Sequence, residues 1–254
     1  MKRLFVTFGC SWTFGVGVGW HPTQTSKEYN ETAWNTDIAS TYSFRGLLSN
    51  RYGFVNKNFS VGASSNQHQF RLAKLFFTSS EFKRLQIEFD QIIVLWAITA
   101  TDRNELYLID KQYITNFSYS DGRPESKAIL TYFYDHENEV RQLETEMIFW
   151  NDYFKSKNIL NLWTDTFNHH FYPQTIDNLI NAKENPRDLL SLLALYNGCN
   201  TIDTTYHSSM WEIDSVRVKY LTDNSILNPF SMHPTKLGHE QIADILSVHI
   251  EKLL

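Results

Sequence analysis

The chain has 254 residues, a formal charge of −5, 42% hydrophobic residues and 20% charged residues. That balance excludes intrinsic disorder and a small scaffold held by disulfides or metal, and it provides no basic field for nucleic acid or an anionic membrane. Two cysteines, Cys10 and Cys199, make no disulfide framework and point to a reducing compartment.

Lys2 and Arg3 precede an apolar stretch from Leu4 to Val18 that imitates a signal peptide. Gly9, Ser11, Thr13, Gly15 and Gly17 interrupt it, and no Ala-x-Ala site follows. It reads instead as a buried strand, Leu4 to Phe8, running into a glycine-rich turn. No run approaches the ~18 apolar residues that span a bilayer. The expected location is therefore the cytoplasm.

Residues 20 to 40 are polar, without a clear period, and read as irregular. Tyr42 to Arg51 is predicted as a helix stopped by Gly53, and Phe54 to Phe59 as a weak strand. Ser64 or Ser65 can cap a helix reaching about Thr78. Gln91 to Trp96 is the clearest buried strand. From about 103 to 135, aromatic and polar residues alternate around Asp121-Gly122, the pattern of a hairpin or an insertion. A long amphipathic helix is predicted over Glu137 to Lys157, a strand over Ile159 to Trp163 and a short helix over Asp188 to Tyr196. Thr201 to Asp203 is a candidate strand, and Pro234 to Leu254 a final amphipathic helix. Strands alternating with helices imply a parallel sheet covered on both faces, and residues 1–254 read as one domain.

Ligands of open α/β sheets bind beyond the carboxyl ends of the strands, and Ser11 lies directly after the first strand. A serine hydroxyl needs a base within hydrogen-bond reach to act as a nucleophile. His233, on the loop before the last helix, is the candidate base.

Four short blocks resemble those of the SGNH (GDSL-like) hydrolase family. Gly9-Cys10-Ser11 is similar to the first, with Cys10 in place of the family's Asp and Ser11 at the nucleophile. Asn58 to Ser64 is similar to the second, with Gly62 at the glycine whose N–H helps build the oxyanion hole. Trp96 to Arg103 stands where the family has Gly-x-Asn-Asp, and His233-Pro234 with Gly238-His239 is similar to the last block, where the His is the base. The resemblance implies a flavodoxin-like three-layer α/β/α sandwich and a serine esterase acting through an acyl-enzyme. It implies no cofactor and no metal. Its expected partner is a small-molecule or glycan ester, such as a carbohydrate O-acetyl group, and not nucleic acid or a membrane. The altered motifs also resemble those of divergent phage or environmental members, so expression inside a phage-infected host is among the expectations.

Two departures stand out. Thr101 occupies the place of the oxyanion-hole Asn, and Asn66 could supply an amide instead or simply cap its helix. The family's triad acid lies three residues before the His, and here that residue is Phe230. A backbone carbonyl could hold the imidazole, or Asp223, Asp214 or Asp203 could reach it, or the site is weak or dead. A lapsed glycan-binding module and an acyltransferase on the same site are therefore the rival functions.

Other residues have plainer expectations. Trp12 and Trp96, beside the proposed nucleophile and oxyanion donor, are expected to contact substrate. Cys10 is expected to point into the sheet and His239 to pack inside the last helix. Asp102-Arg103 reads first as a local ion pair and second as a contact to a substrate anion. His169-His170 near Asp165 lacks metal-ligand spacing, and Gly15-x-Gly17-x-Gly19 is no dinucleotide fingerprint.

Overall fold

The computed structural model describes residues 1–108, 113–117, 122–167, 176, 178–180, 188–199 and 216–254. In chain order the elements are β1 (Arg3–Phe8), α1 (Ser11–Phe14), α2 (Ser26–Thr32), α3 (Thr36–Tyr42), α4 (Phe44–Tyr52) and β2 (Val55–Asn58). There follow α5 (Asn66–Phe77), α6 (Ser80–Glu88), β3 (Gln91–Ile98), β4 (Asn104–Leu108), β5 (Tyr113–Phe117) and α7 (Pro124–Phe133). The chain closes with α8 (His136–Ser156), β6 (Leu160–Asp165), α9 (Leu189–Tyr196), α10 (Val216–Asp223) and α11 (Lys236–Leu253).

The architecture is the expected three-layer α/β/α sandwich. Among the described residues four parallel strands form its sheet, in the order β2-β1-β3-β6. Side chains alternate across a strand, so each strand supplies both layers. Phe5, Ile93, Leu95 and Leu162 point to a core shared with α4, α9, α10 and α11. Leu4, Val6, Phe8, Val94, Trp96 and Trp163 point to the opposite core, under α5, α6 and α8. Two-sided burial explains why β3 reads as an unbroken apolar run rather than an alternating one.

Caps set most helix boundaries. The side chains of Ser43, Ser65, Ser79, Asp188 and Thr235 each accept a backbone N–H of the first turn of the helix that follows. Thr235 is thus the cap of α11, which leaves Pro234 outside the helix that the sequence assigned it to.

The polar stretch from 20 to 40 departs from its irregular reading, because it holds α2 and α3. A capping box between Thr25 and Glu28 starts α2, and the Asn35 side chain caps α3. Their few buried residues, Tyr29 and Ala39 among them, are too sparse to show a period. In the 103–135 region β4 and β5 pair antiparallel, and α7 follows. Gly122 lies after the second strand, so Asp121-Gly122 is not the turn between them. The candidate strand at Thr201 to Asp203 and the pair His169-His170 lie outside the described residues. Among the described residues no helix is long and apolar enough to cross a membrane.

Candidate active site

The carboxyl ends of β1, β2 and β3 deliver the proposed site residues to one edge of the sheet. After β1 the chain enters the single turn of α1, which Gly15 ends at φ +107°. A side chain at Gly9 would run into Thr13, so the turn closes only around glycine. This tight turn leaves Ser11 facing the crevice, almost covered at 7% exposure.

His233 arrives from the other end of the chain. The loop before α11 bends at Met232, φ +55°, and Asn228 clamps it. The Asn228 N–H and side-chain Nδ2 both donate to the His233 carbonyl, each at 2.9 Å. Ser11 Oγ then lies 2.7 Å from His233 Nε2.

The other ring nitrogen meets no carboxylate among the described residues. His233 Nδ1 lies 2.9 Å from Ser231 Oγ. Ser231 Oγ is 3.0 Å from Asn228 Oδ1 and 2.6 Å from the Tyr29 hydroxyl, and Asn228 Nδ2 is 3.4 Å from that hydroxyl. One proton assignment satisfies every partner. Ser11 donates to Nε2, Nδ1–H and Tyr29 donate to Ser231, and Ser231 donates to Asn228 Oδ1. Burial raises the Tyr29 phenol above its ordinary value, which keeps it a donor.

These neutral groups stand at the ring nitrogen where an acid is expected. Phe230 turns away, 37% exposed, with its ring 5.8 Å from that of Tyr29. Asp223 pairs with Lys219 at 2.6 Å on the surface of α10, and it does not orient His233. Asp203 and Asp214 lie outside the described residues.

Burial first, and then the positive charge of Arg103, lower the His233 pKa to about 4. His239, inside α11, falls to about 3, again chiefly through burial, and its Nδ1 accepts the Phe44 N–H at 3.3 Å. Both folded-state values lie below the ordinary 6.5. Stability from the two rings is therefore complete above about pH 6.5 and is lost as pH falls toward 4 and then 3, because the unfolded chain binds the protons first. The melting temperature should fall steadily from pH 6.5 to 4. A flat profile over that range would show that the rings stay in contact with water.

The remaining site residues divide. Gly62 sits on the loop after β2, and a side chain there would strike the Trp34 indole. Among the described residues no backbone carbonyl accepts the N–H of Ser11 or of Gly62. Asn66 is not the helix cap, which is Ser65. Its amide pairs both ways with the Thr99 backbone, at 2.8 and 2.9 Å, which leaves one N–H. The Thr101 hydroxyl faces Tyr134 at 3.1 Å and His136 at 3.4 Å.

Trp12 and Trp96 correct the sequence reading, because both are wholly buried. Trp96 stacks on Phe8 and Trp163 at 4.6 and 4.9 Å, and Trp12 meets Phe167 edge-on at 5.1 Å. Neither ring offers a face to substrate. The exposed indole next to Gly62 is that of Trp34, at 53% exposure. Asp102 and Arg103 form no ion pair with each other among the described residues, contrary to the first reading. Cys10 is buried in the core beside α4 and α11, as expected. Among the described residues no cluster of His, Cys, Asp and Glu could hold a metal.

Ser231, Asn228 and Tyr29 escaped the sequence reading. Their only sequence signal was the closeness of Asn228 and Ser231 to His233; Tyr29 is 202 residues from Ser231.

No protein-family model matches the sequence, and no curated protein matches it. Among solved structures, the chain is similar to a protein described as lipolytic, of the G-D-S-L family, from Desulfitobacterium hafniense DCB-2. Identity is 12%, coverage is 98% of this chain and 99% of that one, and the TM-score is 0.42. It is also similar to the psychrotrophic esterase EstA from Pseudoalteromonas sp., at 11% identity, 99% and 98% coverage and TM-score 0.41. A two-domain esterase active on acetylated mannans matches at 10% identity and TM-score 0.38, and this chain spans 49% of its length.

Proposed function

We propose that this protein is a divergent SGNH-type serine hydrolase that cleaves a small acyl ester through an acyl-enzyme on Ser11. The 2.7 Å contact between Ser11 Oγ and His233 Nε2, at the carboxyl edge of the sheet, carries this reading. A glycan O-acetyl group is the substrate class implied by the family resemblance.

In the first step Ser11 Oγ attacks the ester carbonyl while its proton passes to His233 Nε2. The N–H groups of Ser11 and Gly62 receive the oxyanion. The tetrahedral intermediate collapses, and the imidazolium gives its proton to the leaving alcohol. Water then attacks the acyl-enzyme with His233 as base, and Ser11 is released protonated. Throughout, Nδ1–H stays on Ser231, which holds the ring in the tautomer that the reaction needs. A neutral hydroxyl stabilises the imidazolium less than a carboxylate does, so turnover should be slower than that of an acid-assisted triad.

The lapsed-module reading draws on the missing acid at Phe230 and on the altered third block at Thr101; the Ser231 contact on Nδ1 weighs against the first of these grounds. The test is hydrolysis of 4-nitrophenyl acetate, together with mass mapping after treatment with a fluorophosphonate. Wild type should turn over, and the phosphonyl adduct should map to the peptide containing Ser11. Ser11→Ala should do neither. Equal hydrolysis by both proteins would overturn the reading, and acetyl transfer to an added alcohol in excess of hydrolysis would make the enzyme an acyltransferase.

A further inference from the structure

We propose that Arg103 is an anion-recognising subsite of this active site, selecting esters that carry a carboxylate near the scissile bond. The inference rests on the hydrolase reading and names the substrate class.

Arg103 stands on the loop after β3, two residues beyond Thr101. Its guanidinium carbon lies 5.4 Å from the centre of the Phe167 ring, the ring that packs edge-on against Trp12, next to Ser11 in the chain. Its Nη1 is buried with no hydrogen-bond partner among the described residues. Two other arginines that line the same cleft are paired with carboxylates, whereas Arg45 keeps one buried Nε without a hydrogen-bond partner among the described residues. Arg71 forks onto Glu105 at 2.7 and 3.0 Å, and Arg141 pairs with Glu137 at 2.8 Å. An open guanidinium donor away from water is costly to leave unmade, and a carboxylate satisfies it bidentately.

Two further observations bear on where Arg103 stands. With Asn66 and Thr101, Arg103 stands at one end of a cleft of about 900 Å³ between α5 and α8, whose lining does not include Ser11 or His233. Arg103 is also close enough to His233 to lower its basicity. A substrate carboxylate on Arg103 would cancel that field and strengthen the base only when the matching ester is bound. The preference should therefore appear in kcat as well as KM.

The test uses matched esters on the wild-type protein. 3-Acetoxybenzoate carries its carboxylate on the alcohol side and is compared with its methyl ester. 4-Nitrophenyl hydrogen succinate carries it on the acyl side and is compared with 4-nitrophenyl butyrate. In one pair the anionic ester should have about tenfold or higher kcat/KM, and which pair it is tells the side of the ester that Arg103 reads. The ratio should fall with added salt, drop to about one in Arg103→Gln and survive in part in Arg103→Lys. Equal kcat/KM within both pairs, or a preference that survives Arg103→Gln, overturns the subsite and leaves hydrolysis standing. Where no ester turns over, the hydrolase reading fails alone, and calorimetry decides the subsite. Ser11→Ala should then bind an anionic ester better than its neutral partner, and Ser11→Ala/Arg103→Gln should not. Equal binding of both by Ser11→Ala overturns it.

Discussion

His233→Ala should lower ester turnover by about 10⁴-fold, and Ser11→Ala/His233→Ala should be no slower than the slower single variant. The two side chains share one hydrogen bond of 2.7 Å and act as a unit, so removing either removes the activated nucleophile. Additive losses in the double variant would mean that the two act separately. Ser231→Ala provides the contrast. It deletes a positioning hydroxyl 2.9 Å from Nδ1 and leaves both reacting groups in place. One hydrogen bond of about 1–2 kcal/mol corresponds to a fall of roughly 5- to 30-fold. That fall should lie in kcat with KM unchanged, and Ser231→Thr should restore most of it. A loss as large as that of His233→Ala would show that Ser231 does more than hold the ring.

Gly17→Ala should reduce both stability and turnover. Gly17 adopts φ +104°, a conformation that strains any L side chain. An added Cβ would run into the Pro234 carbonyl oxygen and would lie 3.0 Å from His233 Cβ and 3.1 Å from Asn228 Nδ2. Strain and displacement together should cost about 2–4 kcal/mol by denaturant unfolding. Because the displaced loop carries the base, kcat should also fall by about 10²-fold. Gly53→Ala is the control. That glycine also has positive φ, at +66°, but nothing lies within 4 Å of the added atom. It should lose about 1 kcal/mol of stability with no change in kcat. Equal effects in the two variants would mean that Gly17 matters only as a flexible turn.

The sandwich was legible because burial writes itself into sequence. From Ile92 to Ile98 β3 is apolar throughout because both of its faces are covered, and α8 shows Leu143, Met147, Trp150 and Phe154 at helical spacing because one side alone is covered. α2 and α3 were not legible, because they rest on caps and a few contacts rather than on an apolar stripe. Ser11 and His233 were legible for a different reason. Each stands at a chain boundary, after a strand and before a helix, where side chains are held yet reachable.

The sequence by itself placed Ser11 directly after the first strand and His233 directly before the last helix, at the carboxyl edge where such sheets bind ligands, and the family resemblance supplied the expectation that the two meet. It also determined that no acid would stand at residue 230. Only the tertiary structure decided what replaces it. Tyr29 comes from a helix 202 residues away, and its contact with Ser231 depends on how the α2 segment packs against the loop of His233. The tertiary structure likewise withdrew Trp12 and Trp96 into the cores and left Trp34 exposed beside Gly62. Closeness in the chain marks which residues are near a strand end; which face of that end they take is set by packing, and packing is written across the whole chain.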